Sequence, residues 1–128
     1  MTSRYSVAIL GASGLVGQRL QELLYDHPFF EVVAIAGSPN SVGLMHEEIE
    51  WRLDSRRPNY DILICSMSDI PDVDIAFSAL PNNVAEVVEP SLVARGIHVF
   101  SNASAFRRIA GIPLVIPEVN PEDMQSYY

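Results

Sequence analysis

Lysine is absent from this chain of 128 residues; all eight of its basic residues are arginines, against sixteen acids, for a net charge of −8. The absence excludes chemistry that depends on a lysine of this chain, such as a Schiff base or the lysine of a Walker-type phosphate loop. The acidic balance disfavours nucleic acid and anionic membrane as partners. Cysteine is nearly absent too. Cys65 is the only one, so an internal disulfide is impossible, and with no secretory leader in view the expected setting is cytoplasmic. No apolar run approaches the length of a membrane span. The histidines His27, His46 and His98 are scattered without metal-ligand spacing, and no metal is expected.

What is present is concentrated near the N-terminus. The run Val7-Ala8-Ile9-Leu10 leads into Gly11-Ala12-Ser13-Gly14-Leu15-Val16-Gly17, and a helical pattern follows at once. An uninterrupted apolar run suits a strand buried on both faces. Glycines allow a sharp turn and close approach of a ligand, and a helix N-terminus offers N–H groups and a positive dipole end to phosphate. Gly-x-x-Gly-x-x-Gly in this setting is a variant of the dinucleotide fingerprint. Glycines serving only a tight strand–helix packing would look the same. The cofactor-binding candidates here are Gly11, Ser13, Gly14, Leu15, Val16 and Gly17, with Gly14 expected to lie closest to the pyrophosphate.

Strands and helices alternate along the rest. Strands are expected at 6–10, 31–36, 61–65, 74–78, 97–101 and 113–116. Helices are expected at 15–26, stopped by His27-Pro28, and from a capping box of Asn83 and Glu86 to 95, kinked or split at Pro90 and capped by Gly96. A short helix is expected at 44–53, a loop at 37–43, and a last helix starting at Asn120-Pro121. The alternation implies a single α/β domain, Rossmann-like and doubly wound around a mostly parallel sheet. Ligands of such sheets sit beyond the carboxyl ends of the strands. The loops after the first, second, fourth, fifth and sixth strands are therefore the candidate site.

The loop after the second strand carries no acid to bind a ribose 2′-hydroxyl. Ser38 and Ser41, with Asn40, are neutral donors suited to a 2′-phosphate, so NADP is favoured over NAD, although ordinary turn chemistry gives the same residues. The fourth strand ends in Ser78-Ala79-Leu80-Pro81, small residues against which a cofactor could lie. The fifth ends in small polar residues, Asn102 among them, followed by Arg107, whose permanently charged fork matches carboxylate or phosphate oxygens. Cys65, inside an apolar strand, reads as a small buried hydrophobe rather than a nucleophile.

Four stretches in order together resemble the N-terminal, cofactor-binding domain of the aspartate-semialdehyde dehydrogenase family, of the archaeal and fungal type. They are Gly11-Ala12-Ser13-Gly14-Leu15-Val16-Gly17-Gln18-Arg19, Asp74-Ile75-Ala76-Phe77-Ser78-Ala79-Leu80-Pro81, Phe100-Ser101-Asn102-Ala103-Ser104-Ala105-Phe106-Arg107 and Pro113-Leu114-Val115-Ile116-Pro117-Glu118-Val119-Asn120. The resemblance implies a cytoplasmic, homo-oligomeric enzyme of amino-acid biosynthesis in which NADPH reduces an acyl phosphate, β-aspartyl phosphate, to the semialdehyde. Ser38 and Ser41 match its 2′-phosphate loop, and Arg107 matches its substrate-phosphate arginine. Asn40 and Leu44 stand where the family usually has an arginine and a lysine, which leaves NAD use open. The family's nucleophilic cysteine lies beyond the last block, in an Asn-Cys motif that these residues do not include. Catalytic residues are therefore expected to be missing, and the 128 residues to be inactive alone. Two alternatives share the same cofactor domain: that of an acyl-CoA reductase or an N-acetylglutamyl-phosphate reductase, and a free-standing nucleotide-binding module without catalysis.

Overall fold

A computed structural model describes residues 4–101. Four strands, β1 (Tyr5–Leu10), β2 (Phe30–Ala36), β3 (Ile75–Ser78) and β4 (His98–Ser101), form one sheet in the order β2-β1-β3-β4, every pair parallel. Helices α1 (Leu15–Leu24) and α2 (Asn82–Ala94) follow β1 and β3. The expected parallel α/β fold is borne out. The order places β1 and β3 side by side while their chains wind outward in opposite directions, which opens a crevice at their carboxyl ends.

Alternation along the strands divides the core between the two faces. Val7, Ile9, Ile75 and Phe77 face α1 with Leu20 and Leu24, whereas Ala8, Leu10, Ala34 and Ala76 face α2 with Val88 and Leu92. On the α1 face an aromatic row crosses the sheet. Phe30 meets Phe77 edge-on at 5.8 Å between ring centroids, and Phe77 stacks on Phe100 at 5.7 Å. Each such pair contributes about 0.5–1.5 kcal/mol beyond its buried area. The outer strand β2 is broken by a bulge at Val33, since Val7 pairs with Val32 and Ala8 with Ala34. A bulge on an outer strand discourages further edge pairing.

Several expectations need correction. Residues 61–65 form no regular strand. Ile64 donates to and accepts from the 43–44 backbone while Cys65 does the same with Ile35 and Gly37, so the segment divides its bonds between two neighbours. Residues 44–53 hold only a single 3-10 turn, His46–Glu48, because their backbone is drawn into pairing with 62–64. The capping box at Asn83 is absent: α2 starts after Pro81, with no side chain on its first N–H groups. Pro90 neither splits nor ends α2. Gly96 does close it, at φ +85°, a conformation that favours glycine. The expected strand at 113–116 and helix at 120 lie outside the described residues.

Behind α1 sits a buried histidine. His46, 1% exposed, lies against Tyr60 and Trp51, and its pKa falls to about 4 through burial and the neighbouring Arg57 charge. A histidine depressed in the fold takes up its proton more readily when unfolded, so it lends stability above its unfolded pKa of about 6.5. That stability is lost as pH falls from about 6.5 towards 4. Between pH 7 and pH 4, wild type is expected to lose about 2–3 kcal/mol more than His46→Gln in denaturant titrations. Parallel pH profiles for the two would contradict this.

Candidate functional site

The crevice between the two helix starts is a cleft of about 860 Å³, within the range of roughly 300–1,000 Å³ that small-molecule sites occupy. Four loops wall it: the glycine turn after β1 (Gly11 to Gly14), the turn after β2 (Gly37, Ser38, Pro39, Val42), the segment Ser66 to Ser68, and the end of β3 with the start of α2 (Ala79, Leu80, Pro81, Val84). None of these residues is charged, although the chain as a whole is strongly acidic. Backbone bonds fix the floor. Gly11 N–H donates to Ala36 at 2.9 Å and Ala79 N–H to Leu10 at 2.9 Å, joining the ends of β1, β2 and β3.

The three glycines of the fingerprint do different things. Gly11 sits at φ +135°, where only glycine is unstrained, with space for a Cβ closed by Ala79 at 3.3 Å. A Cβ on Gly17 would lie 2.1 Å from the Gly11 carbonyl oxygen, so Gly17 lets α1 seat directly on the turn. Gly14 caps α1 in an extended conformation, and a Cβ there would meet nothing within 4 Å. Packing alone explains Gly11 and Gly17. It gives no reason for a glycine at Gly14, which faces open space.

Electrostatics favour an anion. The N-termini of α1 and α2 both come to the cleft, neither has an acid in its first turn, and neither has a side-chain cap. Among the described residues, the first turn-to-helix N–H that finds a backbone acceptor is that of Gln18, donating to Gly14 at 2.9 Å. The N–H groups of Ala12, Ser13 and the first turn of α1 have no backbone acceptor.

The sequence-derived candidates separate accordingly. Gly11, Ser13, Gly14, Ser38, Ala79, Leu80 and Pro81 line the cleft. Leu15 and Val16 are exposed at the first turn of α1 and offer backbone only, and Gly17 is buried beneath. Ser41 does not line the cleft. It is buried at 7% exposure behind Gly37, its N–H donating back to Ser38, so of the two serines only Ser38 is presented. Ser78 is fully buried, one residue short of the opening. Asn102 and Arg107 lie outside the described residues. Ser66, Met67 and Ser68 are additional lining residues that the sequence pattern does not mark; Cys65 runs parallel beside β2 at Ala36, and the chain after it emerges at the same edge.

Comparison with known proteins settles the family. Residues 6–127 match the family described as semialdehyde dehydrogenase, NAD binding domain. The chain belongs to that family. It is 45% identical over 125 residues to the aspartate-semialdehyde dehydrogenase of Archaeoglobus fulgidus, covering 94% of the chain and 36% of the relative. Malonyl CoA reductase (NADP) of Metallosphaera sedula is 37% identical over 126 residues, covering 94% and 35%. The solved structure of the Candida albicans aspartate semialdehyde dehydrogenase with NADP superposes at a TM-score of 0.75, with 36% identity, 96% of the chain and 36% of that enzyme covered. The chain thus spans about a third of the length of these relatives. The resemblance carried by the four motifs is borne out, and the domain is a nicotinamide-dinucleotide-binding one.

Two negative findings accompany this. Among the described residues no group of His, Cys, Asp and Glu could hold a metal ion, and no helix is long and apolar enough to cross a membrane. Cys65, expected as a buried strand residue, is half-buried outside any regular strand, and that burial raises its thiol pKa above the ordinary value.

Proposed function

We propose that this domain binds NADP(H) in the cleft, as the cofactor half of an enzyme that reduces β-aspartyl phosphate to aspartate semialdehyde in the cytoplasm. The observation that carries the reading is the convergence of two uncapped, acid-free helix starts on a cleft whose glycine turn leaves open space at Gly14. The pyrophosphate sits over the start of α1, held by N–H groups from Ala12 to Gly17. Ser38 takes the 2′-phosphate, the side on which the absence of an acid matters. The apolar walls, Met67 and Val42 on one side and Leu80 and Val84 on the other, exclude water from the flat rings. When bound, NADPH supplies the hydride. Arg107 grips the phosphate of the acyl substrate in this reading.

The malonyl-CoA reductase likeness keeps a second substrate class open for the same cofactor domain. Calorimetric titration with NADPH and NADH tests the cofactor assignment. Both should bind, NADPH the tighter by about tenfold, the weight of one hydrogen bond from Ser38 to a charged group. Absence of heat with either, or preference for NADH, contradicts it. Expressed as these 128 residues, the chain is expected not to oxidise NADPH with β-aspartyl phosphate. Turnover that Cys65→Ser abolished would make Cys65 the nucleophile and overturn this account of the thiol.

A further inference from the structure

Under the glycine turn lies a polar layer that the cofactor reading leaves unexplained. Two glutamines of α1, Gln18 and Gln21, are completely buried at positions where leucine would fill the same space. A buried amide is tolerated only when its donors and acceptor are all engaged. Gln21 meets that demand in a particular way. Its Nε2 donates to the Gly11 carbonyl at 2.9 Å and the Ala12 carbonyl at 3.2 Å, and its Oε1 lies 2.7 Å from His46 Nε2.

The two carbonyls belong to the turn that walls the cleft. In a trans peptide the C=O and the following N–H point in opposite directions, and no peptide bond described here is cis. Drawing the Gly11 and Ala12 carbonyls down onto Gln21 therefore turns the N–H groups of Ala12 and Ser13 the other way, out of the core. His46 and the two carbonyls together fix the direction of the amide. With Oε1 as acceptor, His46 must donate from Nε2, and a flipped amide would set Oε1 against two carbonyl oxygens. Arg57 in turn donates to the His46 and Ile49 carbonyls, tying the 46–49 segment in place.

Gln18 is the internal comparison. Its amide engages the segment behind α1, donating to the Glu50 carbonyl at 2.7 Å and accepting from Arg52 N–H at 2.7 Å, and it reaches Ala12 only at 3.4 Å. Gln18 anchors the 50–52 backbone; Gln21 holds the turn.

We propose that Gln21, its amide oriented by His46, is a positioning residue that aims the Ala12 and Ser13 N–H groups into the nucleotide cleft. The consequence for binding rests on the proposed cofactor function. The consequence for the turn does not, so the two can fail separately.

The experiment compares Gln21→Met and Gln18→Met with wild type in the full chain, by thermal melting, amide NMR spectra and NADPH titration. Both variants should lose stability. Only Gln21→Met should move the Ala12 and Ser13 amide resonances of the free protein and weaken NADPH by roughly tenfold to a hundredfold, the weight of a hydrogen bond to a charged group. A folded Gln21→Met with unmoved amides and wild-type affinity overturns the proposal, as does an equal loss of affinity in Gln18→Met. If Gln21→Met does not fold, His46→Phe decides, because it leaves Gln21 in place and removes the donor to its Oε1: weakened NADPH supports the orienting role, and unchanged affinity overturns it. A wild type that binds no dinucleotide removes the cofactor reading, while the amide shifts still decide whether Gln21 sets the turn.

Discussion

Gly17→Ala is expected to cost the domain about 3 kcal/mol or more, lowering the melting temperature by on the order of 10 °C. The added methyl would lie 2.1 Å from the Gly11 carbonyl oxygen and 2.8 Å from its carbon, well inside contact distance. Both are backbone atoms at the end of the central strand, where Gly11 N–H is bonded to Ala36 and the Gly11 carbonyl to Gln21. No side chain can swing aside to relieve the clash; either α1 lifts off the sheet or the turn is rebuilt. Leu20 and Leu24, the buried apolar residues of α1, would lose packing in either case. Differential scanning calorimetry checks this, and a melting temperature within a degree or two of wild type would refute the packing assignment.

Gly14→Val is expected to do the reverse, leaving the fold and removing the ligand. The Gly14 backbone is extended, at φ −81° and ψ 159°, which valine adopts without strain, and its Cβ would meet no protein atom within 4 Å. The stability cost should be no more than about 1 kcal/mol, from a poorer N-cap residue. Two methyl groups would then occupy the space in front of the free N–H groups of α1. NADPH affinity should fall by at least about tenfold, the loss of a charge-assisted hydrogen bond or more. Calorimetric titration of the folded variant reads this directly. The pair of substitutions separates the two roles that a glycine triplet can have, since packing predicts that Gly17 matters and Gly14 does not, whereas a bound pyrophosphate requires both.

The sheet was legible because its strands are short apolar runs bounded by turn residues, and the glycine turn because it falls directly between such a run and a helical pattern. Residues 44–53 and 61–65 depart from the expected helix and strand for a physical reason. Their apolar residues follow no single period, because the segment packs Ile49 and Tyr60 on α1 while its backbone pairs with itself and with the end of β2. That irregular path also hid Ser66, Met67 and Ser68, whose place in the cleft depends on Cys65 running parallel to β2. Ser41 has the polarity of an exposed loop residue, but the turn from Ser38 folds back and buries it. The burial of Gln18 and Gln21 is not legible in the sequence, since glutamine on a helix normally faces water. Their partners are carbonyls that only the folded turn brings within reach.

In the proposed complex a nicotinamide dinucleotide lies across the end of β1 with its pyrophosphate at the start of α1. Titrating the isotopically labelled chain with NADP⁺ and following every backbone amide tests it most directly. Saturable shifts are expected at Ala12 to Gly17, at Ser38 and at Ser66 to Ser68, with the back of α1 and the outer face of α2 unmoved. Saturable shifts confined to other surfaces, or none at millimolar NADP⁺, would contradict it.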